Sequence, residues 1–572
     1  MSNKLRGYIK ILLLVGIVTS FELTAKEWKG QWTTKAGKTL HYHIHVKDGE
    51  KASSVAFYLT NLKINRVGTD TDEAILSDLL ERGFMTVNLD CSTIAGTSPQ
   101  MEKELADFHL EMPQLLQSTV QDKGLFNLND VYYLPAGYSI TKNLPYWNTL
   151  EHGANGTAEH IVKMYNRYAA QKHKVPRVKT IDEIKGKKGE SIDYNMRMEI
   201  VYPTGTLSTH VPLMVNFSTQ SQRMRMFSGN PERIIYPLGF LLSGYAWANV
   251  DHGFVTTARD EYYGFIRGEY SLDKWNGLAS SSAAIRFLRA NAVKYNLNEK
   301  IGAMGISKAA YAVMRLADAE HANLTELATF DGFEKGSPSP QPFAGISSKI
   351  DVGYTSAGWD ADYKYITKTT IPLAMSAGKF DKFRKWDSFP KFISTFEEMN
   401  TNYLAFWMED IGHTYPVGKD FASGQSRYVL LKKFFDAHLQ SSKELEVLYI
   451  LPSDGNQQVL KDGYSHHISP EVAPPSNMEG VSVYSPITIR FSDGLASSRG
   501  GISPKNVKVV NMKTQKEVNG DWRGYLKNTR FEFLPVSALE AQTEYMITVT
   551  SGIKSRNGKV LQKEIKSRFK TK

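Results

Sequence analysis

Three residues of this chain have the types and the spacing for nucleophilic chemistry coupled to proton transfer: Ser307, Asp381 and His413. Ser307 falls in Gly305-Ile306-Ser307-Lys308-Ala309, within the text IGAMGISKAAYAVMRLADA. Residues 301–304 read as a short buried strand, and residues 308–319 carry apolar side chains at helical spacing, so Ser307 is expected on the sharp turn between them. The backbone of such a turn packs closely and needs small residues two positions to either side, which Gly305 and Ala309 provide. Residues 371–377 (IPLAMSA) read as a buried strand followed by Gly378-Lys379-Phe380-Asp381, which delivers a carboxylate at the carboxyl end of a sheet. Residues 402–408 (NYLAFWM) read as the next strand, and Gly412 leaves room for an exposed imidazole at His413. The order Ser, Asp, His, with intervals of 74 and 106 residues from the serine, suits the strand-helix units between them. A serine hydroxyl attacks poorly until a base takes its proton. His413 is the candidate base and Asp381 the group that fixes its tautomer and stabilises its cation, so the chemistry is acyl transfer through an acyl-enzyme. Asp331 in ATFDGF and Asp387 are alternative acids, but the first follows an earlier strand and the second falls in a helical stretch, so Asp381 is preferred.

These side chains need strands and helices to hold them. Residues 273–294 (DKWNGLASSSAAIRFLRANAVK) distribute Leu278, Ala283, Ile285, Phe287, Leu288 and Val293 as one buried helix face, ended by residues 295–298 before the strand that leads to Ser307. Residues 212–217 (PLMVNF) and 245–250 (YAWANV) are apolar, β-favouring runs on either side of a helical segment at 231–242. Strands alternating with helices imply a parallel sheet with helices on its faces, an α/β fold.

Residues 192–440 resemble a serine α/β-hydrolase of the secreted esterase type. The resemblance rests on GISKA at Ser307, GKFD at Asp381, IGH at His413 and the segment AAIRFLRANAVKYNLNEKIGAMG, which is similar to the approach to the nucleophile in acetyl and feruloyl esterases and in prolyl-oligopeptidase-like hydrolases. It implies a mostly parallel central sheet and an oxyanion hole made of backbone donors. The HGGG loop of lipases is absent, with Asn216-Phe217-Ser218-Thr219-Gln220-Ser221 in its place. The first donor is then the Lys308 N–H, and the second that of Ser218 or Thr219. The last residue of the elbow is Ala309 rather than the commoner Gly, and the cation of Lys308 beside the nucleophile either favours an anionic substrate or is a solvated surface lysine.

The flanking segments read differently. Lys4, Arg6 and Lys10 precede ILLLVGIVTSF and a polar stretch to Ala25, the pattern of an export signal cut after residue 25, with an apolar run too short to span a bilayer. Residues 26–190 are expected to form an α/β accessory module. Within it, runs at 41–46, 55–59 and 84–90 read as strands, 72–82 as a helix, 93–180 as mixed helix and loop, and 179–190 as a charged linker. The order strand, helix, strand echoes residues 213–251; two ordinary βαβ units are preferred over a degenerate hydrolase-like half, and with no elbow following it the copy should not be catalytic. The catalytic domain is placed at 191–445, a linker at 446–475 with PEVAPPS near its end, and an antiparallel sandwich at 476–572. There SPITIRFSD, FEFLPVSALEAQTEYMITVTSGIKSRNGKVL and the closing RFKTK resemble bacterial Ig-like domains appended to secreted enzymes.

A chain of 572 residues with 41% apolar and 22% charged residues has ordinary multidomain composition. Cys91 is its only cysteine, which excludes a disulfide framework and reads as an inert buried thiol. From Ala473 onward there are 17 Lys plus Arg against 8 Asp plus Glu, so nearly all of the net charge of +10 belongs to the C-terminal domain. In an exported protein such a basic surface suits an anionic polysaccharide or cell surface before nucleic acid, so no nucleic-acid partner is expected. Asp70-Thr71-Asp72-Glu73 lacks the Gly and distal Glu of an EF-hand loop and reads as an acidic helix start. No Zn²⁺ spacing, Walker loop or dinucleotide loop is recognised, so no metal and no cofactor is expected. The expectation is therefore a secreted or periplasmic serine esterase, without a transmembrane segment, that removes an acetyl or feruloyl group from a polysaccharide or oligosaccharide. Aromatic residues make up 11% of the chain, and Trp247, Trp275, Trp359, Trp386 and Trp407 are candidates for sugar stacking, with core burial as their other role. The rival readings are a prolyl-oligopeptidase-like peptidase, disfavoured because residues 26–190 show no propeller repeat, and a noncatalytic surface-binding protein on a hydrolase fold.

Overall fold

The computed structural model describes residues 25–60, 72–93, 98–120, 123–148, 195–204, 210–218, 235–251, 272–317, 343, 345–356, 366–381, 389–408, 411–413, 416, 418, 426–440, 447–452, 478–491, 493–496, 502, 505–525, 529–556 and 558–572. Residues 1–24 of the expected export signal, Thr219, Asp331, Asp387 and the segments 179–190 and 470–476 lie outside them.

The first sheet has five strands in the order β1-β2-β4-β3-β5: β1 (Ala25–Thr33), β2 (Thr39–Lys47), β3 (Ala52–Thr60), β4 (Phe84–Asp90) and β5 (Phe126–Pro135). Alternation decides which way β2 faces: Leu40, Tyr42, Ile44 and Val46 are buried while the residues between them are half-buried or exposed. Helix α1 (Asp72–Glu81) connects β3 to β4, and α2 (Ser98–Thr119) packs Leu105, Phe108, Met112 and Leu116 into the same core as Phe57 and Tyr133.

The second sheet has eight strands in the order β6-β7-β9-β8-β10-β11-β12-β13: β6 (Tyr138–Asn148), β7 (Asn195–Pro203), β8 (Val211–Ser218), β9 (Ala246–Asp251), β10 (Leu297–Ile306), β11 (Val352–Ser356), β12 (Leu373–Gly378) and β13 (Tyr403–Met408). The pairings of β6 with β7 and of β7 with β9 are antiparallel, and the rest of the sheet is parallel. Parallel neighbours need crossovers, and helices supply them on both faces. On one face α3 (Ile235–Leu242) and α7 (Arg427–Leu439) share a core with the N-terminal sheet through Tyr236, Phe240, Trp247, Met304 and Phe435. On the other face α4 (Leu272–Ala290), α5 (Lys308–Ala317) and α6 (Phe389–Glu398) cover Val215, Phe217, Ala303, Leu373 and Met375. Phe389, Phe392, Ile393 and Phe396 of α6 are all buried, which is the one-sided stripe that helical spacing produces.

The sheet boundary differs from the expected domain boundary at 190/191. Residues 126–148 are two strands and not mixed helix and loop, and β6 belongs to the eight-stranded sheet. Its alternation is hidden by irregularity: the pairing with β7 shifts register between Thr141 and Leu144 and again between Pro145 and Trp147, and Asn143 takes a left-handed φ of 55°. The likeness between the two halves also goes beyond a shared βαβ unit, because β1 to β5 repeat both the order and the relative directions of β6 to β10. The copies part at the last strand. β10 leads into Ser307 and α5, whereas β5 turns through Gly137 (φ 81°) directly into β6. A buried chain of polar groups joins the halves: Tyr132 OH donates to Glu199 Oε2 (2.5 Å), and Asn249 Nδ2 donates to Glu199 Oε1 (3.1 Å). Asn216 Nδ2 and Trp247 Nε1 in turn both donate to Asn249 Oδ1, at 2.9 and 3.1 Å.

The C-terminal sandwich packs two four-stranded sheets, β14-β16-β19-β18 and β15-β21-β20-β17. Its strands are β14 (Val447–Pro452), β15 (Met478–Val481), β16 (Ile487–Phe491), β17 (Val507–Asn511), β18 (Gly520–Tyr525), β19 (Arg530–Pro535), β20 (Glu544–Val549) and β21 (Ile565–Thr571). β14 falls in the segment expected as linker, yet it pairs with β16 and so belongs to the sandwich. The sandwich is seated on the base of the eight-stranded sheet. Buried Arg490 donates to Asn402 Oδ1 (2.6 Å) and to the Tyr403 carbonyl, Arg530 pairs with Glu397 (3.0 Å), and Lys559 donates to the Ala437 carbonyl. No helix among the described residues is long and apolar enough to cross a membrane.

Candidate active site

The elbow at Ser307 is built by its neighbours. Ser307 has a left-handed φ of 57°, a conformation that costs a non-glycine residue about 1–3 kcal/mol and persists only where the surroundings impose it. Its N–H donates to the Ser356 carbonyl on β11 (2.8 Å), and its own carbonyl accepts from Ala310 N–H (3.1 Å), which starts α5. A Cβ on Gly305 would stand 2.5 Å from the Ala309 carbonyl oxygen, so the helix can approach the strand this closely only over a glycine. Ser356 is held in turn, since Ser376 Oγ donates to Ser356 Oγ (2.9 Å) and also bonds the Tyr354 hydroxyl (2.7 Å). This buried Tyr354–Ser376–Ser356 chain ties β11 to β12 behind the elbow. Sequence reading missed it because Val352–Ser356 is a five-residue strand containing Gly353, with too little pattern to stand out.

Asp381 and His413 come together at the ends of the next two strands. Asp381 follows β12 and His413 follows β13, and His413 Nδ1 lies 2.8 Å from Asp381 Oδ2. The Asp381 side chain is 1% exposed and that of His413 23%, so the carboxylate is shielded while the ring reaches the surface. With the carboxylate as acceptor, Nδ1–H donates and Nε2 is left to take a proton. Two loops are laced to make this pair. Lys379 N–H donates to the Met408 carbonyl (2.9 Å), Phe380 N–H to the Ile411 carbonyl (3.1 Å) and Asp381 N–H to the Gly378 carbonyl (3.1 Å). Glycines let the loops touch: a Cβ on Gly378 would press on the Gly412 and Ile411 carbonyls, and one on Gly412 would stand 3.1 Å from the Phe380 carbonyl oxygen.

Ser307, Asp381 and His413 thus stand at the carboxyl ends of β10, β12 and β13 in one sheet, with only β11 between the first and second of these strands. Lys308 opens α5, where the first backbone N–H groups have no acceptor within the helix. Ser218 ends β8, the neighbour of β10, and Gly305 pairs with Phe217, so the backbone at Ser218 runs beside the elbow. Of the five tryptophans considered for sugar stacking, Trp247 is 2% exposed and packs on Phe240, and Trp407 packs on Phe389 at 5.3 Å between ring centres. Both serve the core. Exposed Phe380 (64%), between the two laced loops, is an aromatic surface beside the site that sequence reading passed over. Cys91 is buried, and burial pushes its thiol far above the usual range, which leaves it inert as expected.

Comparison with known proteins assigns one part of the chain. Residues 468–571 match the bacterial Ig-like domain family, in agreement with the sandwich. No curated protein matches the chain. Among solved structures, it is similar to a truncated carbohydrate esterase from gut microbiota (14% identity, TM-score 0.29, covering 39% of this chain and 86% of that one). It is also similar to an acetyl ester-xyloside bifunctional hydrolase from Caldicellulosiruptor lactoaceticus (12%, 0.31, 44% and 90%) and to Thermogutta terrifontis esterase 2 (14%, 0.29, 44% and 88%).

Proposed function

We propose that the chain is an exported serine ester hydrolase of the α/β-hydrolase type that deacylates a polysaccharide or oligosaccharide, with acetyl or feruloyl as the acyl group. The observation that carries this reading is the shielded Asp381–His413 pair on the same carboxyl edge as a serine held at positive φ. The doubly wound sheet, with helices on both faces and all three groups at strand ends, supports the fold assignment. Ser307 attacks the ester carbonyl as His413 Nε2 takes its proton, and the tetrahedral oxyanion is met by the Lys308 N–H and by a donor at Ser218 or Thr219. His413 returns the proton to the leaving alcohol, and water then resolves the acyl-enzyme by the reverse sequence. Asp381 keeps Nδ1 protonated and stabilises the imidazolium, which an adjacent buried carboxylate does well in a shielded site.

An ester reading is preferred to a peptidase because nothing among the described residues resembles a propeller gating the site: residues 25–60, 72–93, 98–120 and 123–135 form a mixed sheet with helices. The positive charge of the C-terminal domain serves to hold an anionic polysaccharide or surface. Acetate release from an acetylated oligosaccharide, with proline-containing peptides as the parallel substrate, tests the proposal. Deacetylation that disappears in Ser307→Ala is expected, and cleavage of peptides without deacetylation would refute it.

A further inference from the structure

The face of β2 opposite Leu40, Tyr42, Ile44 and Val46 carries a second concentration of chemistry, on a sheet that holds none of Ser307, Asp381 and His413. Residues 39–47 (TLHYHIHVK) place Leu40, Tyr42, Ile44 and Val46 in the core, so strand alternation sends His41, His43 and His45 to the opposite face. β1 is the edge strand beside them. Register pairs Glu27 with His45, Lys29 with His43 and Gln31 with His41. The potential ligand atoms of Glu27, His43 and His45 all lie within 4.8 Å of one another, with His43 Nδ1 already 2.8 Å from Glu27 Oε1.

We propose that Glu27, His43 and His45 bind a divalent transition cation, Zn²⁺ foremost, which clamps edge strand β1 to β2. Imidazole nitrogens with one carboxylate oxygen form a donor set that suits this class of ion and not Ca²⁺ or Mg²⁺, which take oxygen ligands. Tetrahedral Zn²⁺ with bonds of about 2.0–2.1 Å holds its ligands about 3.4 Å apart, so the three side chains need to close by roughly an ångström, within the reach of rotamer adjustment. The next strand supplies a second layer. Thr86, paired with His45 across β2 and β4, is fully buried, and its hydroxyl has no hydrogen-bond partner, leaving it free to orient the ring or a bound water. Lys29, whose Nζ lies 3.6 Å from Glu27 Oε1, is the group the ion displaces, and its exposed flexible stem lets it move aside. Three protein ligands leave one position for water. The position of the site fits a structural role, because an edge strand that pairs on one side only gains most from a cross-strand link.

The test is calorimetric titration of ZnCl₂ into the intact, tag-free chain after chelator treatment, with CaCl₂ as the oxygen-seeking control and Co²⁺ absorption as a report of coordination. One Zn²⁺ per chain is expected, with no Ca²⁺ binding. His43→Ala, His45→Ala and Glu27→Gln should each weaken Zn²⁺ by more than about tenfold, at least what loss of an outer partner costs at such sites. Exposed His210→Ala should leave binding unchanged. Far-UV circular dichroism checks folding, and if His45→Ala does not fold, His43→Gln and Glu27→Gln on the more accessible positions decide. Zn²⁺ binding that is absent, or that survives all of these substitutions unchanged, would overturn the proposal whatever the fate of the ester reading.

Discussion

Gly378→Ala isolates the part of the account that depends on backbone contact between two loops. Gly378 ends β12, three residues before Asp381, and a Cβ there would stand 2.6 Å from the Ile411 carbonyl oxygen and closer still to that of Gly412. Ordinary contact begins at 3.4 Å, so the loop carrying His413 must retreat by about 0.8 Å or more. Both opposing atoms are backbone, with no flexible side-chain end to give way. A displacement near 1 Å of a catalytic group costs on the order of 100-fold in rate, and overpacking of this kind costs about 1–3 kcal/mol of stability. The expected result is a fall in kcat of about two orders of magnitude with KM little changed, measured on an aryl acetate, in a protein still folded at 25 °C. Gly302→Ala is the matched control. It is also crowded, but its Cβ would meet the ends of Met214, Leu439 and Phe435 in the core, so it should lower Tm and leave kcat nearly intact. Wild-type kcat in Gly378→Ala, or an equal loss in both variants, would refute the claim that loop contact sets the Asp381–His413 geometry.

Other expectations concern the proposed triad and the seat of the sandwich. Asp381→Asn should leave folding intact and lower kcat by up to about 10⁴-fold, as expected when the orienting carboxylate of a triad is neutralised; single-turnover kinetics would show acylation slowed. His438 is half-buried on α7, and desolvation, followed by Lys559, Arg490 and Lys300, lowers its pKa from 6.5 to about 3. Between those values the unfolded chain holds a proton that the folded chain refuses, so its contribution to stability is complete above pH 6.5 and is lost as pH falls toward 3. That amounts to about 2 kcal/mol at pH 5, read as a urea midpoint at pH 7 and pH 5, and His438→Gln should flatten the difference. Arg530→Met leaves Glu397 without its cation, with only the Tyr403 hydroxyl still donating to it, and removing one member of a buried ion pair costs about 3–5 kcal/mol, so Tm should fall clearly while kcat on a soluble ester holds. A Tm within a degree of wild type would mean that the sandwich is not seated as described.

The sequence was most readable where pattern and chemistry coincide. Phe84–Asp90 forms the strand that its spacing predicts, with the same bounds, and the strands ending before Asp381 and His413 do so within two residues. Those strands are buried on both faces and so appear as continuous apolar runs. β6 was hidden because two register shifts and Pro145 erase its alternation, and its membership of the second sheet is a long-range pairing that no local window contains. The seat of the sandwich was hidden for a similar reason: Arg490 and Arg530 look like solvated charges until Asn402 and Glu397, roughly ninety and more residues earlier, are placed beside them. The histidines of β2 were legible as an alternation, but a search for Zn²⁺ spacings on helices and knuckles passes over ligands two apart on a strand. The Asp381–His413 contact was legible only as order along the chain; its distance needed the laced loops.

Covalent labelling tests, without knowledge of the substrate, whether Ser307 is a nucleophile activated by His413. The intact protein is treated with a fluorophosphonate, its mass is measured, and the modified peptide is mapped. A single adduct is expected on the peptide containing Ser307, lost in Ser307→Ala and slowed by orders of magnitude in His413→Ala. No adduct, an adduct on another serine, or labelling of Ser307 at an unchanged rate in His413→Ala would contradict it.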